Sequence, residues 1–326
     1  VALQPLLEFS KRESCRPVNQ PHRLAGVFCV FQTPYLADES IDYDTLAREI
    51  EWLFERGADG VVMAMVSEVL RLSQSERREM ADKVCGVASG RPVVVSVGAE
   101  SWHTACDYAR HAQQAGASAL MAVPPISTAL DDDALFEYFL RIAQSVDIPL
   151  IVQDASSYVG RPMSIDLFVR LFESLGPRVL FKPEAVPIGP RLSALRSRTA
   201  NAARVFEGTG GIALVDSFRR GIVGTMPGAD LVDAIVAIWR ALVREDWGTA
   251  ERIWLPLAAL VSLQHSLDAF LAVEKHLLVR QCVFKNTIVR GPRAYELDEV
   301  TREHVDRLFD RMMGEVAASP ATPGGA

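Results

Sequence analysis

"DYDTLAREIEWLFERGADGVVMAM", residues 42–65, sets a pattern that most of the chain repeats. In its first part Leu46, Ile50, Leu53 and Phe54 recur at helical spacing, an aspartate stands near the start and Gly57 closes the end. The segment that follows, "DGVVMAM" (59–65), is apolar at nearly every position instead of every second one. A strand covered on both faces, as in a parallel sheet, reads this way.

The same unit can be traced outward in both directions. Short apolar runs occur at "LAGVFCVF" (24–31), "DGVVMAM" (59–65), "PVVVSVG" (92–98), "SALMAVP" (118–124), "IPLIVQD" (148–154), "RVLFKPE" (178–184), "ARVFEG" (203–208) and "GIVGTM" (221–226). Amphipathic stretches such as "SQSERREMADKVCGVASG" and "DDDALFEYFLRIAQS" lie between them and open on polar or acidic residues suited to a helix N-terminus. Eight β units alternating with helices predict a (β/α)₈ barrel over residues 24–229, the TIM-barrel form of the α/β class. A doubly wound open sheet is the other arrangement of such units, but no strand is followed by a GxGxxG or P-loop pattern. After residue 230 the β signal stops, and residues 230–315 read as a C-terminal helical extension. Residues 1–23 read as a loosely ordered arm without a secretion signal, and the breaker-rich end, 316–326, as a disordered tail.

The chain has 326 residues, 49% hydrophobic and 23% charged, with a formal charge of −7. That balance speaks against nucleic acid or an anionic membrane as partner, while leaving room for a small anionic substrate at a local site. No apolar run approaches the ~20 residues needed to span a bilayer. The five cysteines are scattered, and no CxxC or Cys/His pair has metal-ligand spacing. The expectation is a cytoplasmic protein with reduced thiols and no metal.

Catalytic groups of such a barrel stand where strands end at its C-terminal face. Lys182 ends the sixth run, in "VLFKPEA" (179–185). Either it reaches solvent there, or it is held as a nucleophile that attacks a ketone and forms an imine, its amine freed by desolvation from Val179 and Phe181. Glu184, two residues on, shares its face of the extended segment. It is either an ion-pair partner or the acid–base group beside the imine. Ser67 and the turn N–H groups around it, after the second run, are candidates to hold a carboxylate. "SQSE" (73–76) is itself a capping pattern. "FEGTGG" (206–211), with Gly208 and Thr209, ends the seventh run either as a close backbone approach to a ligand or as a tight turn. Cys29, Trp102 and His103 have no evident partner.

The ordered set of motifs resembles the dihydrodipicolinate synthase/N-acetylneuraminate lyase superfamily of imine-forming lyases, over roughly residues 24–315. It consists of "TPY" (33–35), "SEVLRLSQSER" (67–77), "GASALMAVPP" (116–125), "FKPEA" (181–185) and "GIVGTMPG" (221–228). The resemblance implies an imine between Lys182 and a 2-keto acid such as pyruvate, with no further cofactor. It implies a substrate carboxylate held at Val66–Ser67, and a homotetramer. Several of the family's usual residues are replaced: its double threonine by Met65 and Val66, its strand-five tyrosine by Gln153, its tyrosine pair by Pro125 and Ile126, and a carboxyl-binding basic residue by Tyr158. These departures argue against dihydrodipicolinate synthesis. "VQDA", "FKPE", "FEGTGG" and "GTMPGADL" together resemble most the branch that dehydrates 2-keto-3-deoxy sugar acids such as 2-keto-3-deoxy-L-arabonate. The expectation is therefore a hydro-lyase using Lys182 and Glu184, with Val66, Ser67, Gln153, Gly208 and Thr209 around the substrate. Its rivals are a retro-aldolase using the same lysine with Tyr35 or Tyr158 as base, and a keto-acid-binding protein without turnover.

Overall fold

The computed structural model describes residues 24–319. The expected arm lies outside the described residues, as do residues 320–326 of the expected tail. The strands are β1 (Gly26–Val30), β2 (Gly60–Met63), β3 (Val93–Ser96), β4 (Ala119–Ala122), β5 (Leu150–Asp154), β6 (Val179–Pro183), β7 (Phe206–Glu207) and β8 (Gly224–Thr225). Between them run α1 (Tyr43–Glu55), α2 (Gln74–Ala88), α3 (Trp102–Ala115), α4 (Asp132–Gln144), α5 (Ile165–Leu175), α6 (Ile188–Arg198) and α7 (Leu214–Arg219). Each apolar run of the sequence contains one strand.

All ladders are parallel, in the order β6-β5-β4-β3-β2-β1-β8-β7. Phe181 bridges Val205, and its N–H donates to the Arg204 carbonyl at 3.0 Å, bringing β6 beside β7 and rounding the sheet into a (β/α)₈ barrel. Side chains alternate across the wall with the period of two that a strand imposes. Phe28, Val30, Val62, Val94, Ile151 and Leu180 form one cluster, the barrel interior. Their neighbours Val27, Cys29, Val61, Val93, Val152, Val179 and Phe181 belong to the larger core beneath the helices. Phe28 and Phe206 meet edge-on inside, with ring centroids 5.4 Å apart. A Cβ on Gly60 would lie 2.4 Å from the Phe28 ring, so the absent side chain makes room for it.

The helices α1 to α5 begin on side-chain caps that satisfy otherwise unpaired N–H groups. Asp42, Ser101, Asp131 and Ser164 each accept from the N–H three residues ahead. Ser73 and Glu76 form a reciprocal capping box, as "SQSE" suggested.

Four more helices follow: α8 (Val232–Val243), α9 (Trp247–Val261), α10 (Leu267–Arg280) and α11 (Glu299–Ala318). The break between α8 and α9 has Glu245 in the left-handed region and Asp246 capping the new helix. α11 packs across α8 and α9 with Val305, Phe309 and Met312 buried, so apolar faces of these helices are covered within the chain. α10 lies against two 3₁₀ turns, Met65–Ser67 after β2 and Ala229–Leu231 after β8. It thereby covers the C-terminal mouth of the barrel. Among the described residues no helix is long and apolar enough to cross a membrane.

Candidate active site

The alternation that turns Leu180 inward carries Lys182 and then Glu184 onto the same inner face. Val179 and Phe181 point outward instead, so the residues expected to desolvate the lysine are not its neighbours; a period of two puts them on the other side of the wall. Lys182 is nonetheless only 4% exposed and Glu184 1%. Lys182 Nζ lies 2.6 Å from Glu184 Oε1. Gln153, paired with Lys182 in the β5–β6 register, donates from Nε2 to Glu184 Oε2 at 3.0 Å. The backbone beyond Pro183 is fixed too: Glu184 N–H donates to the Asp154 carbonyl at 3.0 Å, and Ser157 Oγ donates to the Glu184 carbonyl at 2.7 Å.

Burial raises the Glu184 pKa above the ordinary carboxylate value, and the nearby Glu207 adds to this, while Lys182 and the Gln153 amide act in the opposite sense. A carboxylate whose pKa is raised by burial beside a lysine is suited to exchange protons.

Lys182 and Glu184 open onto a cavity of about 40 Å³ in the barrel mouth, also lined by Met65, Val66, Gln153, Tyr158, Gly208, Phe270 and Glu274. Gly208 is needed for the pair to exist in this form: a Cβ there would lie 2.3 Å from Glu184 Oε1 and 2.5 Å from Lys182 Cε. Tyr158 packs edge-on against Phe270 at 5.5 Å, and burial raises its phenol pKa.

Two expected site residues are turned to other tasks. Ser67 is fully buried; its hydroxyl donates to the Phe31 carbonyl at 2.6 Å and accepts from Ala64 N–H at 3.1 Å. Its N–H closes the 3₁₀ turn onto the Ala64 carbonyl. Neither group is left for a substrate. The N–H groups of Met65 and Val66, the first in that turn, have no acceptor among the described residues. Thr209 is not on the cavity wall. Its N–H and hydroxyl donate to Glu207, and its oxygen accepts from Ala213 N–H at 2.9 Å. Tyr35, weighed as a base, is buried between Lys275 and Arg290 away from the cavity.

The sequence reading missed Glu274 and Lys275, both on α10 and both buried. Lys275 Nζ binds Glu68 Oε1 at 2.5 Å and the Ile288 carbonyl at 2.7 Å, joining α10 to the turn after β2. Glu274 reaches the cavity itself. The available signal was two adjacent charges inside the otherwise apolar "FLAVEKHLLV" (270–279). Among the described residues no group of three or more His, Cys, Asp or Glu is placed to hold a metal ion.

Residues 23–219, more than half of the chain, match the model of the Dihydrodipicolinate synthetase family. The chain is 27% identical to an L-2-keto-3-deoxyarabonate dehydratase of Azospirillum brasilense over 244 residues, 72% of this chain and 79% of that protein. It is 34% identical to a 4-hydroxy-tetrahydrodipicolinate synthase of Methanothrix thermoacetophila over 149 residues, 45% of this chain and 50% of that protein. The fold superposes on YagE, a prophage protein of the dihydrodipicolinic acid synthase family from E. coli K12 crystallised with pyruvate. The TM-score is 0.81 at 22% identity, covering 89% of this chain and 99% of that one. With a matched segment that holds the first seven strands and the Lys182–Glu184 pair, the chain belongs to the dihydrodipicolinate synthetase family of lyases.

Proposed function

We propose that the protein dehydrates a 2-keto-3-deoxy sugar acid through an imine on Lys182. The observation that carries this reading is the buried Lys182–Glu184–Gln153 chain, 2.6 Å and 3.0 Å in its two links, facing the cavity. The lysine attacks the C2 ketone as its neutral amine, and the proton it has given up leaves with the carbinolamine oxygen as water. The protonated imine then acts as an electron sink and makes the C3 hydrogen acidic. Glu184, 2.6 Å from the nitrogen in the free protein, removes that proton. The resulting enamine expels the C4 hydroxyl, and hydrolysis returns the lysine. The free N–H groups of Met65 and Val66 are suited to the substrate carboxylate. The similarity to the Azospirillum dehydratase supports the choice of reaction.

A second reading has its own observation: the Tyr158 phenol lines the same cavity, and a retro-aldolase needs a base for the C4 hydroxyl. Borohydride trapping with a panel of 2-keto acids, followed by product analysis, tests both. Mass on Lys182 together with a dehydrated product supports the first reading. Release of pyruvate from a 2-keto-3-deoxy acid supports the second, and no mass on Lys182 overturns both.

A cytoplasmic setting and a homotetramer belong to the same proposal. Light scattering that finds a monomer at micromolar concentration overturns the tetramer, and recovery in a membrane or secreted fraction overturns the setting.

A further inference from the structure

Behind the Lys182 pocket lies a second group of ionisable side chains that the imine chemistry leaves unused. Glu49 on α1, Asp230 in the 3₁₀ turn Ala229–Leu231 and Glu274 on α10 are all at most 2% exposed. Gln32, just beyond β1, links two of them: its N–H donates to Glu49 Oε1 at 2.9 Å, and its Nε2 donates to Glu274 Oε2. Among the described residues no hydrogen-bond donor reaches the buried acceptors Gln32 Oε1, Glu49 Oε2 and Asp230 Oδ2. Buried polar atoms are normally paired, so protons are needed here. The nearest supply is the carboxyl groups themselves in their neutral form, since a protonated carboxyl becomes a donor.

Glu274 is the member of this group that reaches the cavity. Its Oε2 is held by Gln32, while Oε1 has no hydrogen-bond partner among the described residues and lies against Gly228, another wall residue, where a Cβ would come within 2.3 Å of it. We propose that Glu274 is the acid that protonates the departing C4 hydroxyl. This inference rests on the dehydration reading above.

Glu184 takes one proton from C3 of the protonated imine, giving the enamine. The nitrogen lone pair then restores the protonated imine, C3=C4 forms, and the C4–O bond breaks as Glu274 gives its proton to the oxygen. Water leaves, Glu274 is left as carboxylate, and Glu184 carries the proton from C3. Imine hydrolysis and proton exchange with water reset both groups. Burial and the adjacent Asp230 and Glu49 raise the Glu274 pKa well above the ordinary carboxylate value, outweighing Lys275 and Gln32. The shift favours the acid form, which this transfer uses.

The test compares Glu274→Gln with the wild type on two substrates, a 2-keto-3-deoxy acid and its analogue with fluoride in place of the 4-hydroxyl. Fluoride leaves without being protonated. Glu274→Gln should keep borohydride trapping of pyruvate on Lys182 and deuterium exchange at the pyruvate methyl. It should lose ~10²-fold or more in water elimination and release fluoride at close to the wild-type rate. Water elimination within about threefold of wild type overturns the inference. So does joint loss of trapping, exchange and fluoride release, which marks a structural role.

Should the variant not fold, the wild type gives the answer through its pH profiles. The groups acting on Glu274 are Glu49 of α1, Asp230 of the 3₁₀ turn, Gln32, and Lys275 beside it on α10. Water elimination should fall as pH rises through the Glu274 ionisation while fluoride release does not; superimposable profiles overturn the inference. A wild type that traps no imine or splits off pyruvate overturns the dehydration reading and this one with it. A wild type that dehydrates beside an unimpaired Glu274→Gln overturns this one alone.

Discussion

Gly208 and Glu184 approach so closely that a methyl group on the glycine would lie 2.3 Å from Glu184 Oε1. The same methyl would lie 2.5 Å from Lys182 Cε, so one backbone position limits both members of the pair. Gly208→Ala should therefore displace them. Overpacking of this kind costs about 1–3 kcal/mol in stability. The larger effect is on turnover, because a misplacement of about 1 Å at reacting groups costs roughly 10²-fold. Thermal unfolding and keto-acid turnover on the same preparation check this, and near-normal turnover would mean that the pair tolerates displacement.

Lys275 and Glu68 join α10 to the turn after β2, with side chains that are fully buried and 2.5 Å apart. Removing one member of a buried pair typically costs ~3–5 kcal/mol, because a charge is left without its partner. Lys275→Met should fall near the lower end, about 3 kcal/mol, since Arg71 stays 3.7 Å from Glu68. The double variant Lys275→Met, Glu68→Gln should recover part of the loss. Urea midpoints of the three proteins decide it: a single variant as stable as wild type would mean that the pair contributes nothing to holding α10 over the mouth.

Asp230 makes the folded state less stable as pH rises. Burial raises its pKa from 3.8 to about 7. The folded state therefore holds a proton that the unfolded state has released, and this contribution is present at low pH and is lost as pH rises from about 4 to about 7. For one group the slope is at most about 1.4 kcal/mol per pH unit. Asp230→Asn lacks this titration, so its stability relative to wild type should improve steadily across that window and level off above it. Urea unfolding of both proteins from pH 4.5 to 7.5 measures the difference; parallel curves would show that Asp230 is charged in the folded state throughout.

The barrel was legible in the sequence because a parallel strand buried on both faces needs apolar residues continuously, and runs such as "PVVVSVG" leave little other reading. Lys182 and Glu184 were legible for the same reason: a lysine and a carboxylate two apart at the end of such a run must share a face. The supposed desolvating role of Val179 and Phe181 failed on that alternation, which places them outside. Ser67 and Thr209 look like binding residues by type, but their hydroxyls satisfy nearby backbone and carboxylate groups, and only the turn geometry reveals this. Glu274 was hidden because its significance depends on where α10 crosses the barrel mouth. A local pattern of helical period carries no information about that crossing.

Glu184 and Tyr158 line one cavity and separate the two reactions. Under dehydration, Glu184→Gln should leave imine trapping largely intact. Lys182 and the turn N–H groups of Met65 and Val66 remain in place. Removal of the C3 proton, however, has lost its base. Turnover should fall by ~10²–10⁴-fold, seen in kcat more than in KM, and deuterium exchange at the pyruvate methyl should fall with it. Tyr158→Phe keeps the ring that packs on Phe270 and removes only the hydroxyl, so under dehydration it should cost less than about tenfold. Under retro-aldol cleavage the order reverses: the phenol takes the C4 hydroxyl proton, its loss is the more damaging change, and pyruvate accumulates in the wild-type reaction. If Glu184 only pairs with Lys182, its loss should impair trapping and thermal stability together while Tyr158→Phe leaves both unchanged. Product analysis of the wild type with turnover, trapping and exchange in the two variants separates the three outcomes. Pyruvate release by the wild type beside near-normal turnover in Glu184→Gln would end the dehydratase reading.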